Sequence, residues 1–160
     1  MKKAIRLSFS ALAILIFGAI SSAQAKPNFS GEWKFDAAKS DFGPMPVPAV
    51  FTRAITHTDP KLHIVTTQSG PQGERTTESD YQTDGKEIVH KVGDREVKST
   101  AAWEGDTLGI TTKIDVEGGQ VVMQEKWTLS EDGKTLTSLL HANTPQGELE
   151  IKVVMNKNNP

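Results

Sequence analysis

Residues 107–156 read TLGITTKIDVEGGQVVMQEKWTLSEDGKTLTSLLHANTPQGELEIKVVMN. Three turn signals interrupt this stretch: Gly118-Gly119, Asp132-Gly133 and Pro145-Gln146-Gly147. Glycine supplies the positive φ that tight hairpins demand. Between the turns apolar and polar residues alternate, which is the period of a half-buried strand. The spacing predicts strands over 107–116, 120–129, 134–143 and 148–156. A two-residue turn at Gly118-Gly119 sets Val116 opposite Val121, Ile114 opposite Met123 and Ile110 opposite Trp127. A four-residue loop from Ser130 to Gly133 sets Trp127 opposite Leu136 and Met123 opposite Leu140. Another, from Thr144 to Gly147, sets Leu140 opposite Ile151 and Leu136 opposite Met155. Both members of every pair are apolar. A slip by one residue would carry Lys and Thr into the core, so the facing of these strands is strongly specified.

The same pattern extends upstream. Strands are expected over 29–35, 50–58, 62–68, 74–83, 86–92 and 95–103, with Asp59-Pro60 as the turn between the second and third. Asp84-Gly85 as a two-residue turn sets Tyr81 opposite Ile88. Gly93-Asp94 sets His90 opposite Val97 and Ile88 opposite Ser99. The loop Glu104-Gly105-Asp106-Thr107 sets Trp103 opposite Leu108 and Ala101 opposite Ile110. The connection from 37 to 48 carries Pro44, Pro46 and Pro48, which exclude a regular helix in its second half. About 8–10 consecutive antiparallel strands joined by short turns form an up-and-down meander. A flat sheet of that size would expose one apolar face and two edges. Closure into a β-barrel with the apolar residues inside removes both problems. An immunoglobulin-like sandwich needs long crossovers, and none follows residue 50.

The chain opens with Lys2, Lys3 and Arg6, then an apolar run from Leu7 to Ile20, then Ala23-Gln24-Ala25. This is the pattern of a secretory signal peptide over residues 1–25. The competing reading, a membrane anchor, suffers from a stretch shorter than the ~20 residues a span needs. No Cys follows the cleavage site, so no lipoprotein anchor is expected. Residues 26–160 then form one domain, exported to the periplasm or beyond. With Cys 0 in 160 residues, the fold must hold without disulfides, and no thiolate is available for catalysis or metal binding. A net charge of −2 with scattered basic residues leaves no electrostatic footprint for nucleic acid.

The run Asn28-Phe29-Ser30-Gly31-Glu32-Trp33-Lys34 resembles the opening of calycins. Lipocalins carry G-x-W on the first strand, and fatty-acid-binding proteins carry F-x-G-x-W-K. The continuation Lys39-Ser40-Asp41-Phe42-Gly43-Pro44 is similar to small exported bacterial proteins of lipocalin-like type. The resemblance implies a lipocalin-like barrel, a Trp plugging its closed end and a cavity for a small apolar ligand. Two departures stand out. The two-helix lid of the intracellular fatty-acid binders has no room in the short, Pro-rich connection. Their Arg-x-Tyr pair on the last strand is absent, and the late Arg that lipocalins pack over the Trp has only Lys152 or Lys157 as a counterpart.

The register places Glu125 inward, on the face of Met123 and Trp127, with Thr112 and Ser138 as its neighbours across the sheet and Ser99 beyond Thr112. A polar row, Ser99-Thr112-Glu125-Ser138, is expected to cross the wall and end at Val153. A bare buried carboxylate is costly, so it must be paired, hydrogen-bonded or protonated. Arg53, between Phe51 and Ile55, also points inward. Two readings stay open: a structural Arg53–Glu125 network, or an anchor for the polar end of an amphipathic ligand. Trp103, Trp127 and Tyr81 face inward as core or as ligand wall. Tyr81 brings Ser79, Thr77 and Arg75 to the same side and leaves Glu78 and Asp80 outside.

His57 and His63 fall on opposite faces of their hairpin, so they share no metal site. His57 and His90 point inward from non-adjacent strands, and His141 and Asp115 point outward. No metal and no cofactor is expected, and no nucleophile elbow, zinc-helix, phosphate loop or dinucleotide fingerprint is present. The sequence reads as an exported, non-enzymatic protein holding a small apolar or amphipathic molecule through Glu125, Arg53, Trp127, Trp103, Tyr81, Met123, Ser138, Thr112 and Ser99. The alternative is an envelope interaction or inhibitor protein with a filled barrel. It would use loops or an outer apolar face with Val89, Val122, Leu139 and Val154.

Overall fold

The computed structural model describes residues 26–158, apart from 71, 72, 93, 94, 118 and 146. The leader over 1–25, the Gly93-Asp94 turn, Gly118 and Gln146 therefore lie outside the described residues. Ten strands follow in order: β1 (Gly31–Phe35), β2 (Val50–Thr58), β3 (Lys61–Gly70), β4 (Gly73–Gln82), β5 (Asp84–Val92), β6 (Arg95–Glu104), β7 (Thr107–Val116), β8 (Gly119–Leu129), β9 (Thr135–Thr144) and β10 (Gly147–Lys157). Among the described residues no helix is long and apolar enough to cross a membrane.

All ten strands belong to one antiparallel sheet in the order β4-β3-β2-β1-β10-β9-β8-β7-β6-β5. The first and last strands pair, with Trp33 opposite Lys157 and Phe35 opposite Met155. No turn in the sequence could fix that pairing. It rolls the meander into a nearly closed barrel, with β4 and β5 as unbonded edges along a seam.

The seam corrects the expected Tyr81–Ile88 hairpin pairing. The corner is made by Thr83, not by a turn at Asp84-Gly85. The Thr83 amide donates to the Pro60 carbonyl at 2.8 Å, and its hydroxyl donates to the Asp59 carboxylate. These ties draw the chain toward the β2–β3 turn. Strand β5 starts at Asp84 and pairs only with β6, with an irregularity between Asp84 and Glu87.

The expected pairings hold in β9–β10, where Leu140 faces Ile151 and Leu136 faces Met155. They also hold in β5–β6 and β6–β7, where His90 faces Val97 and Ser99 faces Thr112. Strand β8 is offset by two residues on both sides. Val116 pairs with Gly119, so Leu108 rather than Ile110 faces Trp127, and Thr112 faces Met123. Across β8–β9, Glu125 faces Leu140 and Trp127 faces Ser138. With Val116 and Gly119 as its last pair, the first turn keeps its two-residue length and falls one residue earlier than Gly118-Gly119. The second closes through a Ser130 amide bond to the Thr135 carbonyl, one rung beyond the expected loop. An even shift preserves which side each residue faces, so the interior keeps its composition while its rungs change.

One end of the barrel is filled. Phe29, Leu108 and Leu136 are fully buried, and Leu62, Trp33 and Trp127 nearly so. Burying each such side chain stabilises the fold by about 1.5–3 kcal/mol. The Phe29 ring stacks on Trp103 at 5.7 Å and meets Trp127 edge-on at 5.5 Å. The Trp33 indole N–H donates to the Phe29 carbonyl at 2.9 Å. Lys157 lies over the Trp33 ring, 5.3 Å from its centroid. Gly31 makes room for that lysine: a Cβ there would sit 2.5 Å from Lys157 Cε, and its φ is +137°.

The connection between β1 and β2 continues the pairing of β1 along the edge of β10. The Asp36 amide donates to the Val154 carbonyl, and Asp41 and Lys152 exchange two backbone bonds of 2.8 Å. Ser40 Oγ accepts from the Val154 amide at 2.8 Å. Val154, expected on an exposed outer patch, is thereby buried.

Candidate functional site

Midway along the barrel the aromatic packing gives way to a cavity of about 230 Å³. Its wall joins inward residues of β2, β3, β4 and β8: Phe51, Arg53, Ile64, Thr66, Gln68, Thr77, Ser79, Tyr81, Glu125 and Trp127. Strand parity places them. In β3, Ile64, Thr66 and Gln68 are two apart, as are Thr77, Ser79 and Tyr81 in β4, so each set shares a face.

Arg53 and Glu125 meet inside the barrel. Both terminal guanidinium nitrogens donate to one oxygen, Glu125 Oε1, at 3.2 and 3.3 Å. Ser138 Oγ donates to the same oxygen at 2.5 Å. Burial raises the Glu125 pKa, but the Arg53 charge, the Ser138 bond, the Trp127 indole beside it and the Arg53 bonds together outweigh it, and the group lies below its ordinary value. Glu125 is therefore a carboxylate at neutral pH. The guanidinium lies 4.9 Å from the Trp127 ring centroid and 5.4 Å from that of Phe51. Such cation–π contacts favour keeping the cation inside. The Glu125 side chain still retains 21% of its accessible surface, as expected of a group lining a cavity. Tyr81 is pushed up, by burial first and then by the Glu125 charge, so it stands as a neutral phenol.

Of the residues expected to line the site, Glu125, Arg53, Trp127 and Tyr81 surround the cavity. Ser138 reaches it only through Glu125. The single polar row is corrected. Ser99 and Thr112 pair with each other at 3.1 Å, one rung from Glu125. Ser138 sits one rung away on the other side and reaches the carboxylate diagonally. The rung of Glu125 itself is apolar, with Ala101, Ile110, Leu140 and Ile151. The cause is the two-residue offset of β8. Trp103 belongs to the filled end, where its indole N–H donates to Asp59 at 3.1 Å, and Met123 shares the rung of Thr112. Neither lines the cavity. Thr66 and Gln68 were not singled out from sequence; their parity with Ile64 is the signal that finds them.

The two inward histidines lie apart. His57 is buried, accepts a 3.4 Å bond from the Phe29 amide at Nδ1 and stacks near Trp103. Burial lowers its pKa, against the opposing pull of Asp59, so it is a neutral imidazole. His90 meets Tyr81 edge-on at 6.4 Å, across the seam. Among the described residues no group of three or more acidic or histidine side chains converges on a metal-sized site.

At the mouth the cavity adjoins a second pocket of about 420 Å³ under the connection of residues 42–48, and Gln68 lines both. Arg75 stands on its rim. Met45 and Val47 are 45 and 58% exposed there.

No protein-family model matches this sequence, and no curated protein does. Solved structures do resemble it. Human cRBP IV superposes with a TM-score of 0.60 at 17% identity, over 82% of this chain and 98% of that one. Zebrafish ileal bile acid-binding protein, complexed with cholic acid, gives 0.53 at 17% identity over 81% and 98%. A secretary abundant heat soluble (SAHS) protein from Ramazzottius varieornatus gives 0.57 at 12% identity over 81% and 94%. The shared feature is the barrel, so the calycin-like fold implied by Gly31 and Trp33 is the observed fold.

Proposed function

We propose that this chain is an exported binding protein, not an enzyme, that holds a small, largely apolar or amphipathic molecule inside its barrel. The observation that carries the reading is an ion pair enclosed beside unfilled volume. A barrel built for stability alone is served by well-packed apolar side chains, because a buried pair repays its desolvation poorly. Here Arg53 and Glu125 stand at the boundary between a packed end and a cavity that leads to the mouth. Apolar contacts come from Phe51, Ile64 and Trp127, and polar ones from the pair and its hydroxyl neighbours. The fold likeness to proteins such as the zebrafish bile acid binder, solved with cholic acid, is consistent with this reading. The apolar run and Ala23-Gln24-Ala25 support export.

The test is native mass spectrometry of the protein purified from the cells that make it, followed by denaturing extraction. A bound small molecule that is lost in Arg53→Ala supports the proposal. A bare protein that also takes up no apolar fluorescent probe overturns it.

An interaction protein is the second reading. It rests on a groove of about 300 Å³ on the outer face of β8–β10, beside Asp41 and Leu139. Leu139 is 51% exposed there.

A further inference from the structure

We infer that the ligand ends in an uncharged group that donates a hydrogen bond, such as a hydroxyl, and not in a carboxylate. This rests on the binding reading above and concerns the same cavity.

The hydrogen bonds of the ion pair are unevenly shared. Arg53 Nη1, Arg53 Nη2 and Ser138 Oγ all donate to Glu125 Oε1. None of them reaches Oε2. The second oxygen of the carboxylate is thus the acceptor that the site presents, and an ionised carboxylate is acceptor-only. The guanidinium offers much less. Each terminal nitrogen gives an N–H to Oε1, the Nε donor has no hydrogen-bond partner but is closed off from solvent, and two aromatic rings lie beside it.

Charge points the same way. Arg53 and Glu125 already neutralise each other at 3.2 Å. The other polar cavity residues, Thr66, Gln68, Thr77, Ser79 and Tyr81, carry no charge when Tyr81 is a phenol. An incoming carboxylate would add an uncompensated negative charge beside Glu125, or would have to pull Arg53 away from it. A hydroxyl adds no charge. It donates to Oε2 and accepts from the neighbouring hydroxyls. An ether or ester of the same length fills the space but leaves Oε2 without a donor, and unpaired buried polar groups discriminate strongly between ligands.

Volume sets the size of the end group. About 230 Å³ lies below the ≈ 300–1,000 Å³ of sites for drug-sized molecules. The cavity takes the head and a short stem, and a longer tail passes Gln68 into the pocket at the mouth.

The experiment is isothermal titration calorimetry of the exported protein at pH 7.5 with octanol, octanoate and methyl octyl ether. Octanol is expected to bind about tenfold or more tightly than either of the others. In Glu125→Gln the order of octanol and octanoate is expected to invert, because Arg53 is left without its counter-charge. Octanoate or the ether matching octanol on the unsubstituted protein would overturn the inference and leave the binding reading standing. Binding of none of the three would overturn the binding reading and this inference with it. The ranking on the unsubstituted protein decides the matter even if Glu125→Gln fails to fold.

Discussion

The two ends of this barrel are built on different terms. At the filled end Phe29, Trp33, Leu108, Trp127 and Leu136 are sealed from water, and rings meet at 5.5–5.7 Å. At the mouth, residues 73–76 of β4 are exposed on both faces, and Met45 and Val47 stand in solvent. The chain thus keeps its stabilising apolar contacts at one end and leaves the other loosely packed. The ion pair sits at the junction. The difference teaches that stability and the proposed binding role are separable along the barrel axis, and substitutions at the three levels test that separation.

The largest effect belongs to the filled end. Trp33→Ala is expected to lower the unfolding free energy by about 3–5 kcal/mol, the usual cost of emptying a buried Trp site. Urea denaturation followed by circular dichroism measures it. A loss below about 1 kcal/mol would mean that the packing around Trp33 is not what holds the barrel.

At the junction, Arg53→Met strands Glu125 among apolar neighbours. The expected loss is about 3 kcal/mol, at the low end of the range for a broken buried pair because the cavity still hydrates the carboxylate. Adding Glu125→Leu is expected to recover most of that loss while leaving binding abolished. Recovery of stability without recovery of probe binding is the signature of a pair kept for its ligand. A double variant that stays as unstable as the single one would make the pair structural.

The smallest effect is a pH dependence set at the filled end. The His57 pKa is lowered from 6.5 by burial. Between its folded and unfolded values the unfolded chain binds more protons, so stability falls as pH drops below about 6.5. Glu125, lowered from 4.5, adds its own loss only below that value. Thermal melts from pH 7.5 to 5 are expected to decline gently, and His57→Phe should flatten them. An unchanged slope in His57→Phe would remove the histidine from the account.

Much of this was legible in residue order. Alternation and turn chemistry are local, so strand number, strand facing and the inward placement of Arg53 and Glu125 followed from parity. Rung assignments in β8 did not. Turn residues restrict where a turn falls but do not fix it to the residue: both turns keep their expected lengths and move by one position, and either placement kept apolar residues inside. The seam was also hidden. Asp84-Gly85 looks like a hairpin turn, but Thr83 is held by Asp59 and Pro60, far away in sequence. Thr77 and Ser79 followed from parity with Tyr81, whereas Thr66 and Gln68 lie in the polar half of β3, where no apolar alternation marks the inner face.

The seam has a mechanical meaning. The sheet is a split ring, riveted at one end where Thr83 is fastened to the Asp59-Pro60 turn. Above the Tyr81–His90 contact no ladder bond joins its two lips among the described residues. Such a ring can spread at the mouth by bending alone, with every rung of every hairpin intact. Compliance is thereby concentrated where the cavity meets solvent, and rigidity where the aromatic plug lies.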